Sequence, residues 1–186
     1  MSAPVVLSPI HVVKLISFNC PACYQSETLD PPIRRAVREQ GGKFVVAPLP
    51  RPETNSRERF YYALRDLGPE VEEKTRESLF KGSQDLNYPL ADAPQVLDWL
   101  SQDLATLDID WDAIIATVNG EHGADAIKRA IDLAAKAGAQ VTPTYVLVRD
   151  GVVLSMFDIN TVPNTNLSAL REAVLNALKP AVPQKR

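Results

Sequence analysis

Ile10-His11-Val12-Val13-Lys14-Leu15-Ile16-Ser17-Phe18-Asn19-Cys20-Pro21-Ala22-Cys23-Tyr24-Gln25 is the stretch that decides the fold. Residues 10–18 are β-branched and almost continuously apolar, the pattern of a strand buried on both faces. Helix-compatible residues then run to about Gln40. Pro31-Pro32 is expected to kink or break that helix, because proline lacks an N–H and clashes with the previous turn. Gly41-Gly42 closes it. Phe44-Val45-Val46-Ala47 is a second short buried strand. Strand, helix and strand in this order make a βαβ unit, a parallel pair joined by a right-handed crossover.

Upstream, Val5-Val6-Leu7 and Ser8-Pro9 read as a short apolar piece and a turn. Downstream, residues 48–56 form a proline-rich loop. Asn55-Ser56-Arg57-Glu58 offers a helix cap with a glutamate three positions on, a capping-box signature. Residues 56–138 read as helices, with breaks near Gly68-Pro69, from Lys81 to Pro94, from Leu107 to Asp110, and from Gly120 to Gly123. Val96, Leu97, Leu100 and Leu104 recur at helical spacing, as do Ile127, Ala130, Ile131 and Ala134. Gly138 ends that run. Tyr145-Val146-Leu147-Val148 is a strand, Asp150-Gly151 a two-residue hairpin turn, and Val152-Val153-Leu154 the returning strand. A last amphipathic helix covers roughly Asn166 to Leu178, and residues 180–186 read as a frayed tail. The predicted order is β-α-β, a helical insert, then β-β-α.

The bulk numbers agree with one domain carrying an insertion: 186 residues, 45% hydrophobic and 23% charged, give enough apolar material for a sizeable core. A net charge of −3 points to no nucleic-acid partner. No stretch is long and apolar enough to span a bilayer. Residues 10–18 also lack the charged leader and cleavage pattern of a signal peptide. A mature exported chain or a cytosolic one are both compatible with that.

Only two cysteines are present, two residues apart. A bridge in Cys-Pro-Ala-Cys closes so short a loop that it stabilises by only about 2 kcal/mol. Chemistry explains the pair better than stapling. Pro21 suits the first helical position, which puts Cys20 at the N-cap and Cys23 one turn along. The unpaired N–H groups and positive dipole end of the helix favour thiolate at Cys20. Cys23, deeper, can then attack a mixed disulfide formed at Cys20. A zinc site would need about four ligands, and only His11 and His122, both distant in sequence, could join. Two merely structural cysteines are the other plain alternative. His11 is expected to pack or bond at a strand edge, and His122 to lie in a solvent loop. Trp99 and Trp111 fit helical core positions. Thr142-Pro143 directly precedes a strand, where proline alone reads as a breaker in trans, cis being about 5–6% of X–Pro bonds.

Residues 17–25, the long helical run, and Val141-Thr142-Pro143-Thr144-Tyr145-Val146-Leu147-Val148 together resemble the DsbA family of disulfide oxidoreductases. The resemblance covers about Val12 to Leu178. It implies an α/β thioredoxin-like fold, with residues 1–54 and 139–186 as the thioredoxin-like domain and 55–138 as an inserted helical domain. It implies Cys20 and Cys23 as the redox pair, with Pro21, Ala22, Thr142, a cis Pro143 and Lys14 in support, and neither cofactor nor metal. Thr142 would offer backbone groups to a bound strand, with its hydroxyl toward the sulfurs. It implies protein substrates with free cysteines, a quinone-linked membrane partner that reoxidises the pair, a periplasmic location and a monomer. Two departures stand out. Lys14 occupies a position that is acidic in the family prototype. Its stem is expected to be buried with its head reaching water; the alternative places its charge near the sulfurs. Ala22 stands where the prototype has histidine, so no imidazolium supports the Cys20 thiolate and a less oxidising pair is expected. Thr142 leaves isomerase activity open. A reductase, a glutathione-transferase relative and a non-catalytic binding module are the remaining alternatives.

Overall fold

A computed structural model describes residues 8–51, 54–162 and 166–179; residues 5–7 and 180–186, with the strand piece and tail expected there, lie outside them. Four strands form one sheet in the order β2-β1-β3-β4. Strand β1 (His11–Ile16) pairs parallel with β2 (Phe44–Pro48) and antiparallel with β3 (Thr144–Arg149). Strand β4 (Val152–Asp158) pairs antiparallel with β3 across the Asp150-Gly151 turn and continues past Leu154 over a register shift at Leu147/Val148. Val12, Lys14, Leu15 and Ile16 of β1 are all buried, as befits a strand with neighbours on both sides and helices on both faces.

The predicted first helix is three pieces: α1 (Pro21–Ser26), one tighter turn (Glu27–Leu29) and α2 (Asp30–Glu39). The break falls before Pro31-Pro32, which sit in the first turn of α2, where an N–H is not needed. Gly42 follows α2 at a place no side chain fits: a Cβ there would stand 2.0 Å from the Ile10 carbonyl oxygen.

Among the described residues, five helices lie between β2 and β3: α3 (Ser56–Arg65), α4 (Pro69–Phe80), α5 (Ala93–Asp103), α6 (Trp111–Asn119) and α7 (Glu121–Ala137). Side-chain caps from Asp92 and Asp110 start α5 and α6, each worth about 1 kcal/mol. The expected cap at Asn55 makes no side-chain bond, and Glu58 is instead turned into the interior. The expected break from Lys81 to Pro94 is present but shorter: α4 first continues through one widened turn (Lys81–Asp85), packed by Gly82 against the Trp99 ring, and the non-helical stretch runs from there to α5 at Ala93. Helix α7 begins at Glu121, so His122 lies in its first turn and bonds Asp66 at 2.7 Å, rather than in a loop. Helix α8 (Leu167–Leu178), capped by Asn166, is the last helix among the described residues.

Three apolar groups hold these layers together. Helices α2 and α8 pack on one sheet face around Val12, Ile33, Leu147 and Val174. Helix α7 packs on the other around Leu15, Ala130 and Val146. The bundle joins the sheet through Ile16, Phe18, Val46, Tyr61, Leu79 and Phe80. Each Val, Leu, Ile or Phe among them, fully buried, contributes about 1.5–3 kcal/mol of transfer free energy.

Candidate active site

The end of β1 delivers Cys20 to the N-cap of α1, in extended conformation, with Pro21 starting the helix. The Cys20 sulfur accepts the backbone N–H of Cys23 at 3.2 Å. Across the sheet, the Thr142–Pro143 bond is cis, and the Thr142 carbonyl lies 3.3 Å from the Cys20 sulfur, accepting from its thiol when protonated. Both sulfurs are free thiols; Cys20 is partly exposed and Cys23 fully buried.

Electrostatics separates the two thiols. Hydrogen bonding from Cys23 is the largest influence on Cys20 and lowers it; burial opposes, and Thr142 with the N–H groups of Cys23 and Ala22 adds to the lowering, leaving Cys20 at about 6. Burial, then the bond to Cys20, pushes Cys23 far above its ordinary range. At neutral pH the pair is one thiolate at the mouth and one thiol beneath it: the hydrogen bond between the sulfurs and the burial of Cys23 set the asymmetry, and the N–H groups of the helix start add to it.

The helical region grips the motif from outside. Gln84 donates to the Phe18 carbonyl at 2.8 Å, and the Tyr24 hydroxyl donates to Asp85 at 2.9 Å. Phe80 meets Phe18 edge-on and stacks on Tyr24. Phe18 is thus core, and Tyr24 half-covers the rim.

Lys14 corrects the expectation of a head reaching water: the whole side chain is buried. Its amino group donates to Glu27 and Asp30, each at 2.7 Å. Arg76 pairs with Glu27 and Glu72, and the Tyr145 hydroxyl donates to Asp30 at 2.8 Å. Burial lowers the Lys14 pKa, and Asp30 opposes. Neither sulfur is bonded to Lys14; its electrostatic link is a weak one with Cys23. Sequence reasoning missed Asp30, Glu27 and Arg76. The available signal was Lys14 itself, since a lysine in the middle of a central strand requires buried anions. His11 bonds the Lys43 N–H at 3.0 Å, and Trp99 lies in the helical core with its indole N–H on the Ser78 carbonyl.

The larger cleft, about 1040 Å³ between α2 and α4, contains neither sulfur, Thr142 nor Pro143. A second cleft of about 450 Å³ is lined by Asn19, the residue before Cys20.

No family model and no curated protein matches the chain. Solved structures do. DsbA of Pseudomonas aeruginosa is 21% identical, with a TM-score of 0.67 over 96% of this chain and 93% of that one. The oxidoreductase NmDsbA1 from N. meningitidis is 11% identical, with a TM-score of 0.70 over 95% and 86%. A cysteine-to-serine variant of Proteus mirabilis DsbA, solved with a non-covalently bound peptide PWATCDS, is 18% identical, with a TM-score of 0.67 over 95% and 90%. This chain therefore has the DsbA-type thioredoxin-like fold with its inserted helical region.

Proposed function

We propose that the protein is a thiol–disulfide oxidoreductase that oxidises cysteine pairs in protein substrates through Cys20 and Cys23. The observation that carries this is the division of the pair: Cys20 partly exposed, held at about 6 and faced by the Thr142 carbonyl, with Cys23 buried and protonated behind it. In the oxidised form, a substrate thiolate attacks the Cys20 sulfur, and Cys23 leaves and takes up a proton. A second substrate thiolate then attacks the substrate sulfur of the mixed disulfide and expels Cys20 as thiolate. Two electrons pass from the substrate thiols to the Cys20/Cys23 pair. A leaving thiol of low pKa speeds the second step and stabilises the reduced enzyme, which favours this direction.

The backbone of Thr142 and the cis Pro143 wall the mouth and offer a polar edge to an extended substrate segment. The peptide held by Proteus mirabilis DsbA supports that reading. In this proposal the protein works in the periplasm as a monomer and is reoxidised by a quinone-linked membrane partner. Pro21 and Ala22 set the helix start, and Lys14 positions it through Asp30 and Glu27.

The test is the equilibrium reduction potential of the pair in glutathione buffers. A value at or above about −180 mV supports the oxidase. A value near about −270 mV overturns it in favour of a thiol reductase and removes the argument for an oxidising compartment. Loss of all dithiol exchange in Cys20→Ser, against retained partner capture, separates the enzyme from a binding module.

A further inference from the structure

The smaller cleft, beside Asn19, contains a buried cation. Arg57 on the first turn of α3 is 5% exposed. Its Nη1 donates to Asn19 Oδ1 at 2.9 Å and to Ser83 Oγ at 3.2 Å. Among the described residues no carboxylate pairs with it, and its Nε–H is buried with no acceptor. Because Arg57 holds Asn19 by its oxygen, the amide presents Nδ2 as a donor, and this too is buried without a partner. Arg51 adds a second guanidinium on the lining, and it is exposed. The neighbouring Glu58, whose carboxyl burial raises to about 7, is only about half ionised at neutral pH and makes no salt bridge to Arg57. A buried guanidinium left without an anion is costly, and two unmet N–H donors mark where an acceptor belongs.

We infer that the cleft lined by Asn19, Arg51, Arg57 and Ser83 is a carboxylate-binding subsite for the thiol partner that docks on Cys20. This rests on the oxidoreductase reading above and extends it to substrate choice. Asn19 adjoins Cys20 in the chain, which places the cleft beside the motif and brings it within reach of a molecule held at the sulfur. An extended chain advances about 3.3–3.6 Å per residue, so an acidic side chain two or three residues from the reacting cysteine reaches a neighbouring cleft. Glutathione, whose carboxylates flank its cysteine, carries the same chemistry. Planar N–H donors on a guanidinium and an amide suit a carboxylate.

The experiment mixes oxidised protein with reduced peptides carrying Asp or Asn two or three residues from a single cysteine, on either side, and compares glutathione with its diethyl ester. The readout is the ratio of rate constants, acidic over neutral, within each protein, so a general change in exchange cancels. The parent should favour Asp roughly fivefold to tenfold at one or more positions at low salt, and the ratio should fall toward one in 1 M salt. Arg57→Gln should bring the ratio close to one. Arg51→Gln, at an exposed position that leaves the fold alone, should lower it partway. Discrimination by glutathione alone supports the subsite with glutathione as its source, and by peptides alone with the client side chain. Exchange with a ratio of one throughout, or an unchanged ratio in both variants, overturns the subsite alone. No exchange with any peptide or thiol overturns the oxidoreductase reading and the subsite with it.

Discussion

Lys14→Met is the perturbation that most directly tests the interior of this site. The lysine head sits between Glu27 and Asp30 with no exposure to water. Removing one partner of a buried ion pair costs about 3–5 kcal/mol, because the other charge is left uncompensated. Glu27 keeps Arg76 and Asp30 keeps the Tyr145 hydroxyl, so the lower end, about 3 kcal/mol, is expected. With a urea slope of about 2 kcal/mol/M, the unfolding midpoint of the reduced protein falls by about 1.5 M. Adding Asp30→Asn removes the orphaned charge, and the double variant should regain about 1 kcal/mol over Lys14→Met alone. Cys20 is set by Cys23, Thr142 and the helix N–H groups, so its alkylation midpoint should stay near 6 in Lys14→Met. A single variant within about 1 kcal/mol of the parent would refute the reasoning, as would a double variant less stable than the single. A Cys20 midpoint displaced by a full unit would show that Lys14 acts on the thiolate after all.

Four further outcomes are expected. Iodoacetamide should label Cys20 of the reduced protein with a midpoint near pH 6 and leave Cys23 unlabelled at neutral pH. Because the folded value of Cys20 is lowered from 9.0 to about 6, its stabilisation of the reduced fold is present above pH 9 and lost as pH falls through 6; denaturation against Cys20→Ser should show a contribution of roughly 1 kcal/mol at pH 7 after discounting for screening. Tyr145→Phe, which removes the hydroxyl donated to Asp30 at 2.8 Å, should cost about 2 kcal/mol in the same measurement. Gly42→Ala places a Cβ 2.0 Å from the Ile10 carbonyl oxygen and 2.9 Å from Val37 Cγ1; thermal melts should show about 2–3 kcal/mol lost through overpacking.

The strand-to-helix junction at Cys20 was legible because its signals are local: apolar run, cysteine, proline at the first helical position. The cysteine pair could be placed on a helix start from spacing alone, whereas the Thr142 wall needed a family resemblance, since nothing nearby in sequence says which strand faces the sulfurs. Glu58 shows how a local pattern misleads. It stands where a capping glutamate belongs, yet the interior takes its side chain and Asn55 is left without a cap bond. Lys14 shows the reverse. Its neighbours in sequence are apolar, and its partners stand 13 and 16 residues away, in the tighter turn and at the start of α2. Arg57 was read only as a spacer within a capping motif, because the groups it meets, Asn19 and Ser83, are brought to it by tertiary packing. The widened turn after Phe80 was invisible for the same reason: Gly82 looks like a breaker until Trp99 is seen to fill the space beside it.

The two halves of the mouth, Cys20 and the carbonyl of Thr142, are 122 residues apart in the chain. A ribosome adding about 5–20 residues per second needs roughly 6–24 s to pass from one to the other. Through that interval the cysteines have emerged, while β1 still lacks β3 along one edge. A nascent thiol at Cys20 is therefore born without the carbonyl that later faces it. A chain released short of Thr142 would retain both sulfurs with neither the strand nor the carbonyl that disciplines them.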